Sequence, residues 1–356
     1  AAKMHKAIAV IQFKLEGQML KNRPEFSMDD RIVLEKVDFE KGVYIHNGKE
    51  YPMKDMHFPT IDPSDPLELS KEEEELMVSI RASFRHSEVL HRHVRFLYAN
   101  GSTYKIRNNN LLFHGCIPMN EDGTFQSMTL DGEAYSGRAL MDRLNEIIQD
   151  AYFRPRYSPE RTWASDFMWY LWCGAKSPLF GKSQMSTFEN YFLSDKDVRK
   201  EHYNPYYQVS QNEATCRTIL AEFGLDPDVS RIINGHVPVK IKDGETPVKA
   251  GGKLYVIDGG IAKAYQSKTG IAGYTLIFNS HHLALAEHKN FEGITSEMGS
   301  YTPKIMIIEL MPERLMVKDT DLGKQNDEKI ADLKNLLAAF RKGTIKERTT
   351  AEDMVY

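Results

Sequence analysis

Two short apolar runs, each cut off at a histidine, constrain this chain more than any other feature. Leu111-Leu112-Phe113 stops at His114-Gly115-Cys116-Ile117-Pro118, and Ile232-Ile233-Asn234-Gly235 stops at His236-Val237-Pro238. Runs this brief are too short for helices and have the length of buried strands. A glycine beside each histidine is expected to let the backbone turn, and the proline beyond sets the exit. Leu254-Tyr255-Val256-Ile257 runs in the same way into Asp258-Gly259-Gly260. Layered α/β proteins present reactive groups like this, on loops at strand ends held by a rigid sheet. The histidines have two readings. Each is a satisfied turn or core residue, or the two are half of a metal site.

At 356 residues the chain has room for one large domain or two ordinary ones. Hydrophobic and charged fractions of 41% and 27% fit a soluble globular protein. A net charge of -4 carries no basic excess for nucleic-acid binding. No apolar run approaches the roughly 20 residues that span a bilayer, so no membrane partner is expected. Cys116, Cys173 and Cys216 form neither a paired pattern nor a Cys-x-x-Cys, which points to a reduced, cytoplasmic setting.

The chain opens without Met and enters a helical pattern at once, as the middle of a longer protein would. That helix is predicted over 3–22, ending before Arg23-Pro24. Strands are predicted over Arg31–Val37 and Gly42–Ile45, the second closed by an Asn47-Gly48 hairpin turn. After a loop over 59–66, Ser70-x-x-Glu73 reads as a capping box opening one helix to about Ala99. Its Arg85, His86, His91, Arg92, His93 and Arg95 are a solvated face, or a surface for an anion or a subunit. Further strands are predicted over Thr103–Ile106 and Thr124–Leu130, and aromatic-rich helices over 136–223. Within these, Gly174–Ser183 is a loop with Lys176 and Lys182; it is only loosely like a phosphate-binding loop, since the Walker spacing is missing. The last third reads as a strand meander and a helix over Leu322–Phe340.

Taken in order, Phe113–Pro118, Asn234–Pro238 and Gly252–Gly260, with Lys176–Lys182 and Ser280-His281-His282-Leu283, resemble the class III fructose-1,6-bisphosphatases of bacteria. These belong to the calcineurin-like metallophosphoesterase superfamily. The resemblance runs over essentially the whole chain, and the blocks are specific together. It implies hydrolysis of the 1-phosphate of fructose 1,6-bisphosphate in gluconeogenesis, with a binuclear divalent metal site, typically Mn2+. The implied fold is α/β: the C-terminal part of a layered metallophosphoesterase-like β-sheet sandwich with a helical insertion.

By that match His114 and His236 ligate the same one of two metals, while Pro238 stands where a further histidine is often found. The remaining ligands and the catalytic residues are expected ahead of Ala1, so the chain reads as a C-terminal portion. For the substrate phosphates the candidates are Lys176, Lys182, Arg154, Arg156 and Lys263, with Tyr265 and Lys268 nearby in sequence; Asp258 is a candidate for orienting a ligand histidine. Expected boundaries are an arm over 1–69, a domain portion over 70–320 with its insertion at about 136–230, and a helix and tail over 321–356. The arm is a candidate surface for a homo-oligomer. Two other readings compete: a phosphoprotein phosphatase-like enzyme, and a non-catalytic regulatory subunit.

Overall fold

Helix α1 spans Ala2–Lys21 and buries Val10, Phe13 and Leu20, in a computed structural model that describes residues 1–260, 262–270, 273–288 and 303–346. The next segment departs from the strand predicted over Arg31–Val37. Asp29–Arg31 and Val33–Lys36 are single 3₁₀ turns, and only Val37–Asp38 (β1) is extended. A strand would send neighbouring side chains to opposite faces. Here Val33 and Leu34 are both buried, and the Arg31 guanidinium donates to both carboxylate oxygens of buried Glu189 at 2.7 and 3.1 Å. Turns meet those demands together. Strands β2 (Val43–His46) and β3 (Lys49–Pro52) pair around Asn47-Gly48, both with the positive φ of a two-residue hairpin turn.

Ser70 and Glu73 complete the capping box of α2 (Lys71–His86). Glu73 also takes the fully buried Lys14 ammonium at 2.8 Å, which ties this cap to α1. The long helix predicted to Ala99 is two helices. Ser87 breaks it, its hydroxyl accepting from the Leu90 amide at 3.3 Å to cap α3 (Glu88–Asn100). A serine side chain competes with the helix backbone and favours caps.

Strands β4 (Tyr104–Arg107) and β5 (Asn110–Phe113) are joined by Asn108-Asn109, both at positive φ. β6 (Met128–Leu130) and β7 (Glu133–Tyr135) form a hairpin. The strand predicted from Thr124 is shorter because the Asp122 carboxylate holds the Thr124 amide at 2.9 Å in a turn. Five helices fill the predicted helical stretch: α4 (Gly137–Phe153), α5 (Pro159–Cys173), α6 (Thr187–Phe192), α7 (Tyr206–Val209) and α8 (Glu213–Glu222). Then come β8 (Arg231–Asn234), β9 (Val248–Lys249), β10 (Leu254–Val256) and α9 (Lys263–Thr269). β11 (Gly273–Phe278), β12 (His282–His288), β13 (Lys304–Leu310) and α10 (Asp321–Arg341) complete the described elements.

Contacts group these elements into two units, 1–105 with 113–227, and 106–112 with 228–356. In the first, one apolar cluster takes residues from α1, β2, α4, α5 and α6, so the segment 1–69 shares its core with the helices. Phe13 meets Phe188 edge-on with ring centroids 5.4 Å apart, and Trp163, Phe167 and Tyr170 stack along α5.

The second unit holds a five-stranded sheet of order β4-β5-β8-β10-β9. β8 runs parallel to both β5 and β10, and β9 is antiparallel to β10. All residues of β8 and β10 are buried, as befits parallel strands covered on both faces, and this is why they read as unbroken apolar runs. The predicted meander is the antiparallel sheet β11-β12-β13, tied to β8 where Arg231 Nε donates to Glu309 at 2.7 Å. The whole is a mixed α/β chain with several sheets.

Candidate functional site

Because β5, β8 and β10 are parallel neighbours, their carboxyl ends lie along one edge of the sheet. β8 ends at Asn234, just ahead of His236; β10 ends at Val256, just ahead of Asp258; β5 ends at Phe113, next to His114. In open α/β sheets, that edge is where ligands bind. His236 and Asp258 therefore leave adjacent strands in the same direction, within the second unit. His114 groups by its contacts with the first unit.

The backbone at His236 is strained. Its φ is +67°, and the Val237 amide closes back on the Gly235 carbonyl at 2.8 Å, so His236 is the centre of a γ-turn in its rare positive-φ form. The turn was expected to fall on a flanking glycine, but neither Gly115 nor Gly235 is among the glycines with positive φ. A residue with a β-carbon costs about 1–2 kcal/mol there, and such strain persists only where neighbours over-determine it. Asp258 is one such neighbour. Its carbonyl accepts the Val239 amide at 2.8 Å, and its carboxylate accepts the Gly260 amide at 2.8 Å. Ile257 adds an amide to the Asn234 carbonyl at 2.9 Å. Asp258 thus braces the loop after His236 with its backbone and its own turn with its side chain. Gly260 has no room for a side chain, since a β-carbon would lie 2.8 Å from Tyr265 Cβ.

In the first unit His114 is exposed, and Gly115 to Met119 behind it are buried. The Cys116 amide donates to the Pro178 carbonyl at 3.0 Å, which ties the Lys176–Lys182 loop to the segment after His114. Burial pushes the Cys116 thiol up to about 12, so it stays protonated and offers neither a nucleophile nor a thiolate ligand. Buried Asn204 locks this arrangement. Its side-chain oxygen accepts the Met119 and Tyr206 amides at 3.1 and 3.0 Å, and its backbone amide donates to the Gly181 carbonyl at 2.9 Å. Sequence reasoning missed Asn204, although Asn204-Pro205 is a turn-initiating pair that could have marked it.

The loop does not cradle an anion with its backbone as a phosphate-binding loop does. The amides of Ser177, Phe180, Gly181 and Ser183 donate to protein carbonyls, and that of Leu179 to the Ser177 hydroxyl at 3.2 Å. Its cations are engaged too. Lys176 Nζ donates to the Ser127 carbonyl at 2.9 Å, and Lys182 Nζ pairs with Glu201 at 2.8 Å beside the rings of Phe180 and Tyr203. Arg154 pairs with Asp150 one turn back at 2.7 Å, and Arg156 is exposed. Tyr265 and Lys268 are exposed on α9, while the Lys263 side chain lies outside the described residues.

Imidazoles at strand ends suit a borderline divalent metal, but a centre needs more donors than these. Among the described residues no group of three or more His, Cys, Asp or Glu comes together as a metal site would. The donors of the described residues therefore do not by themselves fit a metal centre. Also among the described residues, no helix is long and apolar enough to cross a membrane.

The fold and the strand-end groups define a mixed α/β protein that presents imidazole and carboxylate at the carboxyl edge of a parallel sheet. The chain belongs to the Firmicute fructose-1,6-bisphosphatase family, which matches residues 1–342. It is 54% identical over 350 residues to a protein of Finegoldia magna named fructose-1,6-bisphosphatase class 3, covering 98% of this chain and 54% of the relative. Proteins of the same name from Clostridium novyi and Alkaliphilus metalliredigens are each 51% identical, over 98% of this chain and 53% of their own length. The chain thus spans about half the length of the curated relatives it matches. No solved structure matches it.

Proposed function

We propose that the protein serves metal-dependent hydrolysis of the 1-phosphate of fructose 1,6-bisphosphate, in the cytoplasm and within gluconeogenesis. The family match over residues 1–342 carries this reading, since relatives at 51–54% identity bear the name of that activity. In it, segments 1–69, 70–320 and 321–356 are an arm, part of a metallophosphoesterase-like sandwich with its helical insertion, and a tail. His114 and His236 supply neutral imidazoles to one divalent metal, Mn2+ in the typical case. The further ligands and the catalytic groups come from the half of the family length that this chain does not span.

A divalent metal held there would supply Lewis-acid chemistry, acidifying a water and polarising a phosphoryl oxygen. The residues present here do the positioning. The γ-turn fixes the direction in which the His236 side chain leaves the backbone, and Asp258 braces that loop. Lys176, Lys182, Arg154, Arg156 and Lys263 are the proposed neutralising cations for the substrate phosphates. Lys182 is already paired with Glu201 at 2.8 Å, so a phosphate there competes with that carboxylate for the ammonium.

The test takes the chain extended to the full length of its relatives, assayed for phosphate release with Mn2+ and for bound metal by elemental analysis. His114→Ala and His236→Ala are each expected to lower metal content and activity. Metal content unchanged in both variants would refute the ligand assignment. The chain alone is expected to release little phosphate, and rapid turnover by it would refute the placing of ligands outside it.

A further inference from the structure

A cavity of about 400 Å³ opens in the first unit between helix α5, the hairpin β6–β7 and the turn at Phe26. That is the size of a small-molecule site. Its floor is aromatic. Trp163, Phe167 and Tyr170 stack along α5 with ring centroids 5.0 Å apart, and Phe26 stands across Phe167 at 5.6 Å and 78°. A cavity bordered by all three members of a stack meets their edges, which carry the positive part of the ring quadrupole. Such a floor suits oxygen-rich groups better than a flat ring, which needs an open face. Charges stand at the two ends. Glu25 takes the Trp163 indole N–H at 3.0 Å, a neutral donor that leaves its charge in place. Lys176 follows the other end of α5, where Gly174 lies so close to the Tyr170 ring that a β-carbon would be 2.6 Å from it. Trp163 and Tyr170 are two turns apart, so about 10 Å separates the ends. The strand wall repeats this polarity. Just before β6 the Lys176 ammonium sits on the Ser127 carbonyl at 2.9 Å, and just after it comes Asp131, paired with Arg143.

We propose that this cavity binds a sugar monophosphate, with the phosphate on Lys176 and hydroxyls toward Glu25. The ammonium takes a phosphate by displacing only a neutral carbonyl. At the far end a carboxylate accepts hydroxyls and repels a second phosphate. That repulsion sets the direction of the ligand and discriminates against a bisphosphate. Fructose 6-phosphate, the sugar left when the 1-phosphate is removed, meets both demands; that choice rests on the reaction proposed above. Its phosphate is also carried by the bisphosphate, so Lys176 serves substrate and product alike, and Glu25 tells them apart.

The chain itself is the test material, titrated by calorimetry without divalent metal. Fructose 6-phosphate is expected to bind about fivefold more tightly than fructose 1,6-bisphosphate, and more tightly than fructose or inorganic phosphate alone. Lys176→Met is expected to weaken both sugar phosphates about tenfold, with the circular dichroism of the folded chain retained. Glu25→Gln, a change at an exposed side chain, is expected to weaken the monophosphate and tighten the bisphosphate. Opposite signs are what a merely loosened structure would not give. Three results overturn the assignment: no binding of fructose 6-phosphate, binding indifferent to Lys176→Met, or Glu25→Gln moving both ligands the same way. Phosphate release by the extended chain would then still uphold the proposed reaction. Conversely, a chain that binds the monophosphate as expected but releases no phosphate when extended keeps the cavity and loses the reaction.

Discussion

The two loops that carry candidate groups are built on opposite terms. Around His236 a residue with a β-carbon sits at φ +67°, the centre of a strained γ-turn that a glycine would relieve. Around Lys176–Lys182 the positive φ falls on Gly181, the amides of Ser177, Leu179, Phe180 and Gly181 are bonded, and both lysines have partners. A loop that tolerates strain to hold one side chain is shaped for that side chain. A loop with most of its amides bonded within the protein is held for its form, and its charges already have partners with which a ligand must compete.

The largest expected effect tests the locked loop. Gly181→Ala places a β-carbon 2.6 Å from Tyr207 Oη and 3.2 Å from Cys116 Sγ, at φ +61°. Both crowding and backbone are wrong for it, so urea unfolding should show a loss of about 2–4 kcal/mol. An unchanged midpoint would mean the loop is looser than its bonds indicate. Glu201→Ala follows. It strips Lys182 of its carboxylate and the Ser186 amide of its acceptor at 2.9 Å, with an expected loss of about 1–2 kcal/mol. Restoring most of that stability with added inorganic phosphate, but not with chloride, would show Lys182 ready to take a phosphoryl group in place of Glu201.

The strained loop is tested by a pair of variants. His236→Ala and His236→Gly both remove the ring, so their difference isolates the backbone. The Gly variant should be the more stable by about 1 kcal/mol, although both lose any metal that the ring holds. Equal stabilities would show that the γ-turn carries no strain, and the contrast between the two loops would fall.

Parts of this were legible in the sequence for definite physical reasons. β8 and β10 are apolar without a break because both their faces are covered, and that pattern survives in one dimension. Their adjacency to β5 does not, since helices α4 to α8 intervene and only tertiary contact orders the strands. Arg31–Val37 has the alternation of a strand; Glu189, the partner that turned Arg31 inward, lies 158 residues on. Ser87 reads as helix in the sequence because its side chain serves a cap as readily as an exposed helical position. The usual preference for glycine at positive φ puts the turn at His236 on its glycine neighbour, and the histidine's breach of that preference is the informative point.

The smallest effect on stability bears most directly on how the locked loop would serve a substrate. Lys176 is exposed, and its ammonium has a single backbone acceptor, the Ser127 carbonyl at 2.9 Å. Nothing else depends on that contact, so Lys176→Met should change stability by no more than about 0.5 kcal/mol. Unlike Lys182, it has no carboxylate to leave, and an arriving phosphate would compete only with a neutral carbonyl. In the chain extended to the length of its relatives, Lys176→Met should therefore raise KM for the bisphosphate more than Lys182→Met does, with kcat little changed in either. The reverse order would mean that the Lys182–Glu201 pair opens at low cost and that the loop is poised to exchange ions. Equal and negligible effects would leave both lysines as parts of the loop's form alone, and the phosphate contacts would then have to come from Arg154, Arg156 or Lys263.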